Sequence, residues 1–437
     1  MPGPVLKAPP TVVAAPSRDR QVQSQPIRDA RTCPDGSSNS PLRANKRQLN
    51  GSPVSTTGAR SWLPEFVILL SFFDGIASAA KALQDLNVGL LLFMAWETCK
   101  ECQAVATAHF PDVWHRDDFR ADNPQAVAGL VYKAMQDSNI RPTKRRRHDQ
   151  GTSSRYPVPV LLTGGPPCWD FSIIKGDAAK GRHGEEGKKF DEMCDWIEQF
   201  ELHLEHACEI LIENVVAKTD EDALHFDKRL SHQQQGVVAW HFLCDAADEG
   251  IVGRPRMWWT RSKLEDANLR WSKQGEYHKL FYSEFQQKAS DIQTDGLQFP
   301  TAVLNKQGRM PCFTTPAPSE QGRPAPKHSR QTISEDGKNR WQKDSRTYAP
   351  WHYERRNMMT DSKGDLHLPT AEIKEQMHHL PAGYTAVANT PMRARHRMLG
   401  NGWHVGVAKF ILYLVLCAYT GACADGAVQD KLSLIHI

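Results

Sequence analysis

The residues best suited to chemistry lie in one loop, where a cysteine follows two prolines behind a short apolar run. Val160-Leu161-Leu162 predicts a buried strand, and glycines and prolines stiffen the loop that carries Cys168. A thiol held on such a loop at the end of a strand is placed to act as a nucleophile. For a Pro-Cys pair alone, a buried structural cysteine beside a turn is the commoner explanation, so the nucleophile hypothesis depends on the downstream residues.

Later strand ends supply an acid and two cations. A predicted strand over 209–212 delivers Glu213 and Asn214, and another over 237–243 leads to Arg254 and Arg256. A carboxyl group can donate or accept a proton, and guanidinium groups can stabilise a thiolate. Together these residue types indicate covalent catalysis that is assisted by an acid.

Polar residues nearer the start of the chain are typical of a nucleotide-binding cradle. A predicted strand over 66–72 runs into Asp74 and Gly75, and a helical pattern follows. The next predicted strand ends at Glu97, where folds of this type bind ribose hydroxyls. A glutamate favoured by a helix dipole is an equally good explanation of Glu97. Asp118 follows the third predicted strand end.

The alternation of strands and helices predicts the fold class α/β, with a doubly wound, mostly parallel sheet and the site at the carboxyl ends of its strands. Ten cysteines at irregular spacings indicate a reducing compartment and not a disulfide framework. Cys99 and Cys102 have no second pair at zinc spacing, so no metal is expected. The apolar stretch 410–424 is shorter than the roughly twenty residues that span a bilayer and predicts a buried helix of a soluble protein without a membrane partner.

Positive charge is concentrated in a few segments. The net charge is +4, and residues 1–62 hold nine Lys and Arg against three Asp and Glu, so any nucleic-acid surface must be a local patch. The cluster 144–147 indicates a nuclear address or a phosphate patch, with a solvated loop as an equal alternative. Residues 321–360 hold nine Lys and Arg against four Asp and Glu. These basic residues are interleaved with the aromatics Trp341, Tyr348, Trp351 and Tyr353. The combination suits phosphate contact and base stacking, and a polar loop region that covers the sheet is an equal alternative.

Taken together, these blocks resemble the cytosine-5 DNA methyltransferase family over roughly 66–260 and 311–415, and their style is most similar to its animal de novo branch. The chain departs from the family where Ala77-Ser78 replace a common second glycine and where Val252 replaces a common glutamine. The basic insert before Cys168 is also longer than the family suggests. The blocks stand in the family's order: Phe73-Asp74-Gly75, Glu97, Asp118, Pro166-Pro167-Cys168, Glu213-Asn214-Val215, Arg254-x-Arg256 and Leu399-Gly400-Asn401-x-Trp403.

The resemblance implies a function, a cofactor and a set of site residues. It implies transfer of a methyl group from S-adenosylmethionine to carbon 5 of cytosine in double-stranded DNA, through a covalent Cys168 intermediate on a flipped-out base. Its catalytic residues would be Cys168, Glu213, Asn214, Arg254 and Arg256. The residues that would bind the cofactor are Phe73, Asp74, Gly75, Glu97, Asp118, Pro166, Asn401 and Trp403.

Composition and the resemblance together divide the chain into segments. A disordered basic arm over 1–62 precedes a catalytic domain over 63–260, which carries a polar and basic insert at 121–157. A target-recognition region over 261–385 follows, and a closing motif and helix over 386–424 return to the catalytic domain before a tail over 425–437. The cluster 144–147 makes the nucleus the predicted location, with the cytoplasm as the alternative.

Three other functions stay open. One RNA-directed branch of the family carries a Cys-Phe-Thr block like Cys312-Phe313-Thr314, which makes tRNA the alternative substrate. A catalytically silent nucleic-acid-binding relative has no chemical reason to keep Cys168, Glu213 and both arginines. A methyltransferase acting on proteins or small molecules would explain the cradle but not these residues.

Overall fold

The structure is a computed structural model that describes residues 63–138, 158–172, 180–204, 208–217, 219–232, 236–248, 250–264, 269–274, 277–281, 285–313, 333–387 and 390–420. The predicted arm over 1–62, the basic cluster at 144–147 and the tail over 425–437 lie outside the described residues. The strands are β1 Phe66–Phe72, β2 Gly89–Trp96, β3 Trp114–Arg116, β4 Val160–Gly164, β5 Glu209–Val215, β6 Trp240–Asp245, β7 Val252–Gly253, β8 Pro255–Thr260, β9 Trp271–Gln274, β10 Tyr277–Leu280, β11 Met310–Pro311, β12 Met359–Thr360 and β13 Leu366–His367.

The helices of the described residues follow or separate these strands. They are α1 Ser78–Asp85, α2 Lys100–His109, α3 Pro124–Asp137, α4 Glu185–Leu204, α5 Asp220–Leu230, α6 Thr301–Leu304, α7 Glu335–Lys343, α8 Ala371–Met377, α9 Met392–Asn401 and α10 Val405–Thr420.

One large sheet organises the molecule. Its strand order is β3-β2-β1-β4-β5-β8-β6-β10-β9. The pairs from β3 to β5 are parallel, and β8 lies antiparallel between β5 and β6. The order runs outward in opposite directions from β1 and β4, so a crevice opens at the carboxyl ends of these two strands. The sheet confirms the predicted α/β class, a Rossmann-like, mostly parallel fold of the kind that S-adenosylmethionine-dependent methyltransferases use.

Helices cover both faces of the sheet because its central strands are apolar on both sides. In β1, Val67 and Leu69 pack into one core with α1, α2 and α10, whereas Ile68 and Leu70 pack into the other with α3, α4 and α5. A third, smaller core joins β7 and β11 to α6 and α8 through residues such as Val303 and Met377.

The last apolar segment is the buried helix that the sequence predicts. Within the described residues, the helical stretch Met392–Thr420 could cross a bilayer by length and composition alone, but 78% of its most apolar window is buried in the structure. In α10, Phe410, Ile411 and Leu414 are fully buried and pack against α1 and the sheet. It is therefore a core helix.

The structure differs from the sequence prediction in several elements. Helix α3 occupies the first part of the segment expected to be a polar insert, where Asn123 caps its N-terminus and Val127 and Val131 pack into the core. The regular elements also continue past residue 261, because β9 and β10 extend the sheet beyond β6. The strand expected over 237–243 begins only at Trp240.

The glycine-rich and charged composition of 176–189 predicts a mobile segment, but its described part, 180–189, contains regular structure. A 3-10 turn at Gly181–His183 leads directly into α4, which begins at Glu185. The cause is a capping interaction with the cysteine loop, which is described below.

Candidate active site

A cleft of about 560 Å³ opens at the carboxyl ends of the central strands. It is lined by the loops that follow β1, β2, β3 and β4, by the ends of β5 and β8, and by the segment after α9. The site residues predicted from sequence meet here, apart from Asn214, which lies behind the wall. Those that line the cleft are Phe73, Asp74, Gly75, Glu97, Asp118, Pro166, Cys168, Glu213, Arg254, Arg256, Asn401 and Trp403.

The cysteine loop is held from two sides. Asn214 on β5 donates from Nδ2 to the carbonyl oxygen of Pro166 at 3.3 Å, and its Oδ1 accepts from the amide of Val215 at 2.8 Å. The amide of Phe171 donates to the carbonyl oxygen of Cys168 at 3.0 Å and closes a turn around the thiol. Through these contacts Asn214 orients the cysteine loop.

Asp170, which sequence reasoning missed, fixes the other side of the loop. Its carboxylate accepts from the amides of Glu186 and Gly187 at 3.0 and 3.3 Å, so it caps the N-terminus of α4, where a negative charge is favourable. A Cβ atom on Gly184 would lie 2.0 Å from this carboxylate, so the close approach requires glycine. The capping aspartate two residues after Cys168 thereby orders the segment expected to be mobile.

Glu213 and Arg256 form an ion pair in the cleft. The Nε atom of Arg256 lies 2.8 Å from Oε1 of Glu213, and the Glu213 side chain is 8% exposed. The pair arises from strand register, because β5 and β8 are antiparallel with Val215 opposite Arg256, which places Glu213 and Arg256 on one face in diagonal positions. A buried carboxylate needs such a partner.

Arg254 connects the smaller core to the segment after α9. Arg254 is 2% exposed, and its guanidinium donates to the carbonyl oxygens of Gly400 and Gly402 at 3.1 and 2.6 Å. Its Nη1 atom also lies 3.0 Å from Sγ of Cys312. Arg254 therefore holds the closing segment, residues 400–403, against the cleft.

Cys312 contacts both arginines of the cleft and was not among the predicted site residues. Its sulfur lies 3.0 Å from Arg254 and 3.6 Å from Nη2 of Arg256. Burial favours its neutral form, but the two arginines outweigh burial and lower the pKa of the Cys312 thiol. The only sequence signal was the Cys-Phe-Thr block, and nothing in the sequence placed that block beside the arginines.

Opposing effects act on the pKa of the Cys168 thiol. It is exposed at the cleft, yet the surrounding protein displaces enough water that burial raises its pKa, an effect that Arg256 and Arg254 oppose and Glu213 reinforces. The neutral thiol is therefore favoured more strongly than in a free cysteine. A ligand that shields Glu213 or brings the arginines closer would favour the thiolate.

The loop after β1 forms a tight cradle with three residues in the left-handed region. Phe73, Gly75 and Ala77 have φ values of 52, 60 and 59°. Glu97 braces this loop, because its Oε2 accepts from the amide of Gly75 at 2.9 Å and its Oε1 from the amide of Cys99 at 2.8 Å. Each carboxylate oxygen keeps a second lone pair for a ligand hydroxyl, so the predicted ribose role stays a prediction.

Buried polar atoms without partners line the same cradle. Within the described residues, neither carboxylate oxygen of Asp74 nor the hydroxyl of Ser78 has a hydrogen-bond partner. Burial raises the pKa of Asp74 to about 7, with the Glu97 charge contributing and the nearby Ser71 side chain opposing. Orphaned buried polar groups are uncommon and call for a ligand. A ligand that carries hydroxyl and cationic groups would satisfy them.

Asp118 and Trp403 line the far wall of the cradle. Asp118 caps the short helix Phe119–Ala121 and is held by Arg120, and the Arg120 side chain lowers the pKa of Asp118. Trp403 is buried and packs edge-on against Trp258, and a Cβ atom on Gly165 would lie 3.0 Å from its Nε1. Gly165 thus lets the closing segment approach the cysteine loop.

The expected base-stacking aromatics of 321–360 are partly structural. Trp341 is buried and donates from Nε1 to the carbonyl oxygen of Tyr348 at 2.9 Å, and the buried Tyr353 donates its hydroxyl to Asp344. For Trp341 and Tyr353 the stacking prediction is wrong, because their rings form the core between α7 and Pro350–Tyr353. Among the residues that the structure describes, no cluster of three His, Cys, Asp or Glu side chains is arranged to hold a metal ion.

Comparison with known proteins finds likeness in structure only. No protein-family model matches the sequence, and no curated protein is similar to it. A mutant of Spodoptera frugiperda DNMT2 is 15% identical with a TM-score of 0.47, covering 80% of this chain and 99% of that one. The Entamoeba histolytica methyltransferase EhMeth is 12% identical with a TM-score of 0.48, covering 80% and 97%. S. pombe Dnmt2 is 15% identical with a TM-score of 0.42, covering 80% and 98%. At these sequence identities and TM-scores, the likeness assigns no substrate to this chain.

Proposed function

We propose that this chain transfers a methyl group from S-adenosylmethionine to carbon 5 of cytosine in DNA. The observation that carries the proposal is the convergence of the Cys168 thiol and the Glu213–Arg256 ion pair on one cleft at the carboxyl ends of β4 and β5. A nucleophile and a carboxyl group that face one cavity can act on the same ring. Methylation of proteins or small molecules leaves this pairing without a purpose.

The cradle suits the proposed cofactor. Glu97 and Asp118 offer carboxylate oxygens to hydroxyl and amino groups, and the orphaned carboxyl group of Asp74 suits a cationic group. Phe73 and Trp403 supply aromatic walls. When bound there, S-adenosylmethionine would supply an electrophilic methyl group to the base that shares the cleft.

Cys168 would make carbon 5 of cytosine nucleophilic. Its thiolate adds to carbon 6, and the ring electrons move toward nitrogen 3, where Glu213 donates a proton. The resulting enamine is electron-rich at carbon 5 and accepts the methyl group. Glu213 then takes back the nitrogen 3 proton, and transfer of the carbon 5 proton to water restores the double bond and expels the Cys168 thiolate. Arg256 orients Glu213 throughout, and Arg254 keeps the closing segment in place.

The cleft needs its base outside the DNA stack. Extruding a base costs a few kcal/mol, which contacts in the pocket must offset. Trp169 follows Cys168, lines the cleft and is 42% exposed, so its ring is available to an extruded or neighbouring base. Stacking of a base on an aromatic ring contributes about 1–3 kcal/mol.

Transfer of labelled methyl groups tests the proposal. The full chain with labelled S-adenosylmethionine is expected to label duplex DNA, and bisulfite mapping should place the product at cytosines. Cys168→Ala should lose the activity, whereas Cys194→Ala, which removes a buried thiol of α4, should keep it. Absence of label from DNA with a folded protein contradicts the proposal.

The second candidate is a tRNA cytosine-5 methyltransferase, and Cys312 favours it. The Cys-Phe-Thr block resembles an RNA-directed branch, and its cysteine contacts both arginines of the cleft. Purified tRNA in the same assay separates the two functions. Label that enters tRNA and not DNA would establish this candidate in place of the first.

Nuclear localisation remains a proposal of its own, motivated by the basic cluster 144–147. A tagged chain is expected in the nucleus and, after neutralisation of the four basic residues, in the cytoplasm. An unchanged distribution contradicts the proposal.

A further inference from the structure

A Cys-x-x-Cys pair lies at the edge of the cleft and plays no part in the proposed methyl transfer. Cys99 is the N-cap residue of α2, and Cys102 lies in the first turn. Both line the cleft, yet Cys99 is half-buried and Cys102 is 8% exposed. One accessible sulfur at a helix N-terminus and a second, shielded sulfur three residues later is the arrangement of redox-active dithiols.

The surroundings of Cys99 favour reaction at its sulfur. Hydrogen bonding from Cys102 is the largest of the effects that lower the pKa of Cys99 to about 7, against the opposing effects of burial and Glu101. The same hydrogen bond and burial raise the pKa of Cys102. Nη2 of Arg397 lies 3.7 Å from the Cys99 sulfur. The two sulfurs thus have the unequal character that a nucleophilic and a resolving cysteine require.

We infer that Cys99 and Cys102 form a reversible dithiol–disulfide site that low-molecular-weight disulfides such as glutathione disulfide oxidise. The Cys99 thiolate attacks one sulfur of the reagent, a mixed disulfide forms, and one reagent thiolate leaves. Cys102 then loses its proton and attacks the Cys99 sulfur, and the second reagent thiolate leaves. The two protein thiols lose two electrons, the reagent gains them, and the two protons are taken up by its thiolates.

The disulfide would act on the cleft through Glu97. The amide of Cys99 donates to Glu97 Oε1, and Glu97 Oε2 accepts from the amide of Gly75, so Glu97 couples the N-terminus of α2 to the cradle loop. Drawing Cys99 toward Cys102 changes the position of this amide. A ligand in the cradle should therefore oppose formation of the Cys99–Cys102 disulfide, and the disulfide should weaken binding of the ligand by the same factor. This coupling, unlike the dithiol site itself, rests on the proposed function.

Thiol mapping of the full chain tests the site without any methyl acceptor. After incubation with excess glutathione disulfide, acid quenching and alkylation, peptide mass analysis is expected to find Cys99 joined to Cys102. Reduction by excess glutathione should reverse the bond. At pH 7, iodoacetamide should modify Cys99 about threefold faster than an ordinary cysteine, because more of it is thiolate although each thiolate is less nucleophilic.

Two variants make the result specific. Cys102→Ser should accumulate the mixed disulfide at Cys99, since no resolving thiol remains, and Cys102→Ala provides a second form if the serine variant unfolds. Cys99→Ser should leave Cys102 reduced, because the shielded sulfur does not initiate exchange. Cys99 and Cys102 both remaining alkylated in the oxidised sample, or Cys99 paired with another cysteine, would overturn the site.

Adding S-adenosylhomocysteine, the demethylated cofactor, tests the coupling. In a fixed mixture of glutathione and glutathione disulfide, saturating S-adenosylhomocysteine is expected to lower the equilibrium ratio of Cys99–Cys102 disulfide to dithiol at least fivefold. An unchanged ratio with demonstrated binding would overturn the coupling. A chain without methyltransferase activity can still form the Cys99–Cys102 bond, and an active chain can lack it. Failure of this site and failure of the proposed function are therefore separate results.

Discussion

Cys312 contacts Arg254 and Arg256, the two arginines that also act on the Cys168 thiol. Its sulfur contacts both guanidinium groups, and the pKa of its thiol lies below the ordinary value because the arginines outweigh burial. The same arginines lower the pKa of Cys168, whereas burial raises it. To the extent that Cys312 ionises, it neutralises positive charge that would otherwise act on Cys168.

Removing the Cys312 thiol should make Cys168 more reactive. In Cys312→Ala, the uncompensated arginines are expected to lower the pKa of Cys168, and alkylation of Cys168 at pH 7 should become severalfold faster. The measurement is the rate of iodoacetamide modification of the Cys168 peptide as a function of pH. Cys194→Ala removes a buried thiol from α4 and should leave the rate unchanged. Slower alkylation of Cys168 in Cys312→Ala would contradict the proposed effect of the arginines.

The start of α1 shows how one element tolerates a departure from its usual sequence. Ala77, at the position where a second glycine is common in the resembled family, caps the helix with φ 59° and ψ 37°. This conformation costs an L-residue roughly 1–2 kcal/mol, and burial of the Ala77 methyl group offsets about 1 kcal/mol of that cost. The loop therefore keeps its shape without the glycine.

A matched pair of substitutions measures this balance. Ala77→Gly loses a buried methyl group but gains a favourable backbone, so its free energy of unfolding should change by less than about 1 kcal/mol. Ala80→Gly loses an equally buried methyl group inside α1 and weakens the helix, so it should cost about 2 kcal/mol. Denaturant unfolding compares the two. Equal destabilisation would mean that the left-handed cap carries no strain.

Beyond single elements, the smaller core contains a buried cation that makes stability depend on pH. Lys374 is 4% exposed, its Nζ lies 3.0 Å from Nδ1 of His396, and it sits over the rings of Phe313 and Tyr348. Burial lowers the pKa of Lys374 from 10.5 to about 7. Between these values the unfolded chain binds a proton that the folded chain does not, so this residue makes stability rise with pH from about 7 to 10.5.

Lys374→Met should remove this dependence. The variant is expected to be more stable than the native chain at pH 7 by about 2 kcal/mol, with a flatter stability profile above pH 7, because no buried amine needs to lose its proton. Lys338→Met removes a lysine whose side chain is 51% exposed and should leave the profile unchanged. Thermal unfolding across this pH range distinguishes them. A Lys374→Met variant that keeps the native slope contradicts the assignment.

At the scale of the whole molecule, the sequence predicted the parallel half of the sheet and most of the site. The strands β1, β2, β4 and β5 are short apolar runs, and their polar ends identified the cleft without any knowledge of pairing. Asn123, Pro124 and the spacing of Val127 and Val131 also contained the signal for α3, but the charged residues that follow in the insert masked it.

Other features depended on contacts between distant parts of the chain. The antiparallel position of β8, and with it the Glu213–Arg256 pair, follows from register between strands about forty residues apart. The polar strands β9 and β10 join the sheet only at its edge, where alternation is weak. Cys312 reaches the arginines from the smaller core, and no local pattern encodes that contact.

The central claim is that the sulfur of Cys168 bonds to carbon 6 of a cytosine held by Glu213. Duplex DNA that contains 5-fluorocytosine tests it, because fluorine at carbon 5 cannot leave as a proton and the covalent complex persists. With S-adenosylmethionine present, the native chain should form a complex that survives denaturation and maps to the Cys168 peptide, while Cys168→Ala forms none. A complex attached to any other residue, or a folded native chain that binds this DNA and forms none, would contradict the claim.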